Sequence, residues 1–468
     1  MFDYRKFALE KISRIGPRYL PFADAATKDV PLSRLLRLSL FQVTVGMALV
    51  LLVGTLNRVM IVELAVPASL VAVMLALPVL FAPFRALIGF RSDIHRSAIG
   101  WRRTPYIWKG TLYQFGGFAI MPFALLVLSG YAEAKDAPLW IGHGSAALAF
   151  LLVGAGVHMV QTVGLALATD LVPEDQQPKV VGLMYVMLLA GMIVSALVFG
   201  ALLENYSPGR LIRVIQGAAV VTVALNLLAL WKQEPRDRTR AASPKSDLDF
   251  STAWRSFASG QGAIRLLVVI ALGTAGFGMA DVLLEPFGGQ ALGLTVADTT
   301  KLTALLAGGG LIGFSLAARI MARGMTPLQV AYLGALIGVP AFAAIILSAF
   351  WSGGALFALG TLGCGFGAGL FGHGTLTAMM RAAPKNQIGL ALGAWGAVQA
   401  TAAGVAIAAG GIARDVILAL PGGGENPAIP YLPVFAFEAL LLLVAIIAIR
   451  PLRRTRFRQD ADRVYMNG

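Results

Sequence analysis

Gly46-Met-Ala-Leu-Val-Leu-Leu52 returns later in the chain as Gly278-Met-Ala-Asp-Val-Leu-Leu284, with six of seven positions identical. A second, weaker echo pairs Pro173-Glu-Asp-Gln176 with Pro384-Lys-Asn-Gln387. Agreement of both position and spacing reads as a parallel internal repeat, in which each half begins on the same side of a membrane.

Around these anchors the sequence is oily. Of 468 residues, 57% are hydrophobic and 13% charged, and the mean hydropathy is +0.75. A soluble domain carries about 25% charged residues, so a water-soluble enzyme is excluded. Twelve apolar stretches are long enough to span a bilayer, which takes about 20 residues. They cover approximately 34–57, 67–90, 105–130, 142–169, 178–203, 210–231, 263–285, 299–322, 327–350, 352–380, 386–412 and 430–450. The ten-residue alternation of a membrane barrel is absent. The expected fold class is an all-α membrane protein with twelve transmembrane helices in two six-helix halves.

The basic residues orient these stretches. With the N-terminus placed in the cytoplasm, the cytoplasmic segments hold 32 Lys and Arg and the other side 6. The net charge of +14 is thereby an orientation signal with both termini cytoplasmic, and it requires no acidic partner. The expected organisation is a basic amphipathic segment (1–33), a six-helix bundle (34–231), a cytoplasmic linker (232–262), a second bundle (263–450) and a basic tail (451–468). In residues 2–20, Phe2, Leu9, Ile12, Ile15 and Tyr19 can face lipid while Arg5, Lys6, Lys11, Arg14 and Arg18 face out, which suits an anionic leaflet. Membrane lipids are therefore expected partners and nucleic acid is not. The single cysteine, Cys364, excludes an internal disulfide and a Cys-based metal site. No cleaved signal peptide is expected, because the first thirty residues lack an uninterrupted apolar core before a cleavage site.

Ionisable residues at membrane depth mark function by default. Asp281 and Glu285 stand at i and i+4 on one helix face, where the first-half copy has Leu49 and Val53. They suggest a polar site for a proton, a cation or a partner's basic group; the plainer alternative is that they sit near water at a helix end. Arg58 and Glu63 flank the end of stretch 1, and a contact of Arg58 with Glu63 or with Asp281 would be a structural clasp. Arg85 is explained by snorkelling to the interface. No metal-binding or phosphate-cradling motif is present and no catalytic constellation is visible, so a non-enzymatic protein is expected.

The loop after stretch 2 carries Gly89-Phe-Arg-Ser-Asp93, then Arg96, Gly100, Trp101, Arg102 and Arg103. It resembles the Gly-x-x-x-Asp…Gly-Arg-Arg loop of the major facilitator superfamily, stretched by a few residues. Gly89 permits close helix approach, and Asp93 with the arginines can latch the cytoplasmic helix ends. The second-half copy keeps Arg319 and Arg323-Gly324 without the acid.

Longer stretches narrow the likeness. They include Leu20-Pro-Phe-Ala-Asp24, Leu35-Leu-Arg-Leu-Ser-Leu-Phe-Gln42, Gly54-Thr-Leu-Asn-Arg-Val-Met-Ile-Val-Glu-Leu64, Gln114-Phe-Gly-Gly and Asp281-Val-Leu-Leu-Glu-Pro-Phe-Gly288. Together they resemble the PucC/LhaA family of phototrophic bacteria, a bacteriochlorophyll-delivery branch of the facilitator fold. The resemblance implies a light-harvesting assembly factor of the inner and intracytoplasmic photosynthetic membranes, with the peripheral antenna as the favoured client. It implies transient bacteriochlorophyll as the cofactor. Antenna polypeptides and pigment-synthesis or reaction-centre components are the implied partners. His158 and His373 fall in equivalent stretches, and imidazole is a good axial ligand for magnesium. Gly372 and Gly374 flank His373 without side-chain bulk, so a flat macrocycle could lie there; helix packing and ordinary histidine hydrogen bonds are the bland alternatives. Two other readings stay open: a proton-coupled small-solute transporter using Asp281 or Glu285, and a ligand-free membrane scaffold.

Overall fold

The computed structural model describes residues 22–27, 29–81, 85, 88, 92, 100–130, 134, 136–173, 176–234, 262–351, 354–382 and 388–466; the side chains of 388–393 and 453–466 are outside the description. The amphipathic segment expected over residues 2–20 and most of the linker therefore lie outside it, as do Gly89, Asp93 and Arg96 of the latch loop. All regular structure among the described residues is helical.

The helices are α1 (Leu32–Glu63), α2 (Ala68–Val79), α3 (Thr104–Ser129), α4 (Leu139–Asp170), α5 (Gln177–Leu202), α6 (Pro208–Leu230), α7 (Ala263–Gln290), α8 (Val296–Ala322), α9 (Pro327–Ser348), α10 (Ala355–Ala382), α11 (Ile388–Ala419) and α12 (Leu432–Met466). Eleven contain a segment long and apolar enough to cross a bilayer, and α2 is a shorter apolar helix. The second half of stretch 2 falls largely outside the described residues. α12 continues through Pro451 to Met466, past the end of its apolar run.

Local chemistry starts and stops these helices. Ser207, Thr295 and Thr326 each accept a backbone N–H of the first turn, and Thr326 with Gln329 completes a capping box. α3 ends at Gly130, whose φ of +57° favours glycine. Mid-helix Val220, Leu359, Val405 and Ile447 are exposed, an arrangement that requires lipid as the solvent. Trp140, Trp231 and Trp351 are exposed at helix ends, where an interfacial aromatic belt is expected. The chain is a multi-pass membrane protein.

Two compact units divide the chain. The first comprises Met1–Leu52 with Leu80–Pro244, and the second Val53–Val79 with Lys245–Gly468. The boundary thus falls inside α1 and at the end of α2, not only in the linker. In the first unit α3 packs on α4 and α6, and α1 on α5; in the second α9 packs on α10 and α12, and α7 on α11. The neighbour pattern repeats, as the paired heptapeptides suggest. Their shared glycine does the same task twice. A Cβ on Gly46 would meet the Leu188 carbonyl of α5 at 2.6 Å, and one on Gly278 would meet the Ala406 Cβ of α11 at 3.2 Å.

Both copies also contain a place where the helix loses regularity, the first at its end and the second at its start. α1 turns π-helical over Val50–Leu56 and Val59–Glu63, and α7 breaks at Met279 between Gly278 and Ala280. Such irregularities collect at functional sites.

Candidate functional site

In the second unit, the π-helical end of α1 meets α7 and α8. Pro286 lies inside α7 and has no N–H, so the carbonyl four residues earlier, that of Val282, loses its helical donor. Asn57 replaces it: its Nδ2 donates to the Val282 carbonyl at 2.8 Å. Glu285 is 4% exposed. Its Oε1 accepts the Thr303 hydroxyl, and its buried Oε2 makes no hydrogen bond among the described residues. A Cβ on Gly54 would stand 2.5 Å from Glu285 Oε1 and 3.0 Å from Thr303 Oγ1, so glycine is what admits this carboxyl group. The Thr55 and Thr300 hydroxyls lie 3.3 Å apart beside it.

Arg58 is buried. It donates to Glu63 and, at 3.0 Å, to the Leu294 carbonyl beyond α7. The Arg58–Glu63 clasp expected from sequence is present. No ion pair joins Arg58 to Asp281 among the described residues. Asp281 and Glu285 also part company: Glu285 faces Thr303 and Gly54, whereas Asp281 acts electrostatically on Glu438 of α12 and Cys364 of α10.

Glu438 is an acid the sequence reading did not single out. It is fully buried. Its Oε1 accepts the Ala280 N–H at 2.7 Å, which caps the second segment of α7 at the break, and its Oε2 has no partner. The signal was available as a lone acid within the apolar stretch 430–450. A second missed group surrounds Gln290. The Arg414 guanidinium donates to Gln290 Oε1 at 2.8 Å and to Asp415 at 2.7 Å, and lies 5.2 Å from the Tyr431 ring centroid. Tyr431 also donates to Gln290 Oε1. Asp415 Oδ2 accepts the Ser69 N–H at 2.7 Å, supplying α2 with the cap that Pro67 cannot provide.

The histidines differ. His373 is buried, its Nδ1 lies 3.0 Å from the Phe314 carbonyl, and its ring sits 4.2 Å from that of Phe314. The glycine-rich face of α10 is filled by neighbouring backbone. A Cβ on Gly374 would meet the Ala331 amide at 2.6 Å, and Gly365 and Gly369 abut carbonyls of α8, while Gly372 alone of the His373 flanks leaves open space. Close helix approach accounts for most of these glycines, so the broad flat surface expected for a macrocycle is occupied by α8 and α9.

His158, in α4 of the first unit, makes no hydrogen bond among the described residues, and its buried Nδ1 has no partner among them. One turn along, Thr162 Oγ1 and Gln161 Oε1 accept from Arg85 at 3.0 and 3.2 Å. Arg85 acts electrostatically on His158 and on Tyr185 of α5. Arg85 is therefore fixed by α4 side chains inside the bundle, which corrects the expectation of a simple snorkelling residue. Gln42 and Gln114, both within the family-like stretches, are buried with unpartnered amides in the same unit.

Asp93 lies outside the described residues, and the latch arginines also meet groups on other elements. Arg103 Nε donates to Asp170 at 3.1 Å and its NH1 to Ser92 at 2.7 Å; Arg102 reaches Asp170 at 3.4 Å. The Glu234 carboxylate accepts the N–H groups of Arg102, Arg103 and Thr104 at 2.7–2.9 Å and so caps α3, where a negative charge is favoured. Gly100 supplies a φ of +84° just before.

Residues 55–457 match the family model described as PUCC protein. The chain belongs to the PUCC protein family. Protein PucC of Rhodobacter capsulatus is 64% identical over 454 residues, covering 96% of this chain and 98% of that protein. Protein PucC of Rhodovulum sulfidophilum is 65% identical over 415 residues, covering 88% and 91%. A more distant relative, the bacteriochlorophyll synthase 44.5 kDa chain of Rhodobacter capsulatus, is 30% identical over 430 residues, covering 88% and 93%. Among solved structures, a bacterial homolog of the human lysosomal transporter Spinster superposes with a TM-score of 0.66 at 14% identity, covering 90% of this chain and 96% of that one. A bacterial homologue of the iron transporter ferroportin gives 0.64 at 16%, covering 89% and 97%. At such identities the likeness shows the fold alone, that of major facilitator transporters. This PUCC-family chain is a facilitator-fold protein.

Proposed function

We propose that this PUCC-family chain is an assembly factor for bacterial light-harvesting complexes. It would act in the cytoplasmic and intracytoplasmic photosynthetic membranes with both termini cytoplasmic. It holds bacteriochlorophyll, or steadies newly inserted antenna polypeptides, while pigment and apoprotein join; the favoured client is the peripheral antenna. The observation that carries this reading is 64% identity to a protein PucC across nearly the whole of both chains. Support also comes from the more distant relative, a bacteriochlorophyll synthase chain.

A bacteriochlorophyll brings a magnesium ion that takes an axial nitrogen ligand. The first unit offers His158, an imidazole with no hydrogen bond among the described residues, near the Arg85 guanidinium, which in turn acts on the Tyr185 phenol. These groups fit the metal and the carbonyl oxygens of such a pigment. His158 is thereby the favoured ligand over His373, whose Nδ1 already faces the Phe314 carbonyl. No covalent chemistry is required. In a strain lacking the protein, peripheral antenna complexes are expected to fall sharply, and normal accumulation would refute the function. The purified protein is expected to take up bacteriochlorophyll with a chlorin absorption band that His158→Phe weakens; no band in either protein would remove the pigment half of the reading.

A second reading, a proton-coupled transporter, is favoured by the unpartnered buried oxygens of Glu285 and Glu438 in a transporter fold. Proton-driven uptake that is unchanged in the Asp281→Asn/Glu285→Gln variant would remove its rationale.

A further inference from the structure

The first unit contains a cavity of about 690 Å³ between α1, α5 and α6. Its walls are apolar: Val43 and Met47 from α1, Val194 and Val198 from α5, Val214 and Val221 from α6. Val194, Val198 and Val221 are exposed, so the cavity opens sideways onto the surface that faces lipid. A spanning helix, roughly 10 Å across and about 30 Å long, needs several times this volume. The cavity is instead in the range of about 300–1,000 Å³ that holds one small ligand.

One end of the cavity is cationic. Arg210 and Arg213 line it, in the first two turns of α6, where the backbone dipole is already positive. The first turn contains no acid to offset them. Neither arginine makes an ion pair among the described residues. Arg213 Nε reaches only the Gly209 carbonyl, at 3.4 Å. Glu204, in the connection between α5 and α6, pairs with neither. Arg102, Arg103 and Lys179, at the ends of other helices of this unit, all have carboxylate partners. Two unpaired cations at a helix N-terminus therefore border a lipid-open apolar slot. Gly217, with open space at its Cβ position, leaves the wall unobstructed.

We propose that this slot is a binding site for one anionic phospholipid. An acyl chain lies against Val198, Val214 and Val221, and the phosphate meets Arg210, Arg213 and the N-terminal amides of α6. The charge selects the headgroup and the apolar wall holds the chain. The site is separate from His158 and independent of the assembly role.

Native mass spectrometry of the full-length protein in micelles tests this, using dioleoyl phosphatidylglycerol and dioleoyl phosphatidylcholine as probes. One phosphatidylglycerol is expected to bind about thirtyfold more tightly than phosphatidylcholine, the scale set by two basic side chains at a membrane surface. Arg210→Gln/Arg213→Gln should bring the two lipids to similar affinity, and Arg210→Lys/Arg213→Lys should restore the preference. Val221→Trp, which fills the slot, should weaken both lipids. Equal binding of the two lipids by the native protein would overturn the proposal, as would a preference that survives loss of both arginines. Displacement of the phosphatidylglycerol by inorganic phosphate alone would show a free-anion site and also overturn it. Displacement by an apolar single-span peptide would assign the surface to a protein partner instead.

Discussion

The Asn57–Val282 contact makes a sharp test of how α1 and α7 are joined. Pro286 deprives the Val282 carbonyl of its helical donor, and the buried Asn57 amide supplies one at 2.8 Å. Asn57→Leu keeps the approximate volume and removes the donor. A buried carbonyl left unpaired costs about 1–3 kcal/mol, while side-chain hydrogen bonds measured between membrane helices average about 0.6 and reach about 1.7 kcal/mol. A loss of about 1–2 kcal/mol is expected. Pro286→Ala returns an N–H to the helix at the position facing the Val282 carbonyl, so Asn57 should matter little in its presence. Equilibrium unfolding in mixed micelles with a denaturing detergent, followed by far-UV circular dichroism, gives all four corners of the cycle. The double variant should be about 1 kcal/mol more stable than the sum of the single changes. Additivity within about 0.3 kcal/mol would refute the reasoning, because it would mean that the proline does not create the need for the asparagine.

Three further outcomes follow from the same geometry. Gly54→Ala places a methyl 2.5 Å from Glu285 Oε1 and should cost about 1–3 kcal/mol through overpacking; Gly372→Ala, in open space, should be near neutral in the same unfolding assay. Asp415→Ala removes both the cap on Ser69 and the carboxylate of buried Arg414, so a loss of at least about 2 kcal/mol is expected from the cap and the stranded cation, with Asp415→Asn recovering part of it. Glu234→Ala should speed amide hydrogen exchange at the start of α3, residues 102–104, while leaving α9 unchanged, because only α3 takes its cap from that carboxylate.

Much of the architecture was legible in the residues. The apolar runs predict the spanning helices, because a bilayer core accepts a backbone only when its hydrogen bonds are closed within the segment. The paired heptapeptides likewise predict equivalent places for α1 and α7. The site was only partly legible. Asp281 and Glu285 stood out as acids in oil, and by the same rule Glu438 should have. Their i, i+4 spacing predicts one shared face, and both lie in the single segment Ala280–Gln290, yet different neighbours give each its own surroundings. The π-helical end of α1 left no mark in composition, and neither did the use of Glu234 and Asp415 as caps for helices far away in sequence.

What the sequence determined by itself, then, is the helical membrane class, the repeat and the family, all of which follow from local hydropathy and linear identity. Tertiary structure alone decided which polar groups meet. It sent Asn57 to the carbonyl that Pro286 orphans, filled the α10 glycine face with the backbones of α8 and α9, and left His158 uncommitted while His373 was engaged. The physical reason is that burial makes an unpaired polar group costly. Each therefore seeks whatever partner the packed helices bring near, and sequence spacing does not record which partner that is.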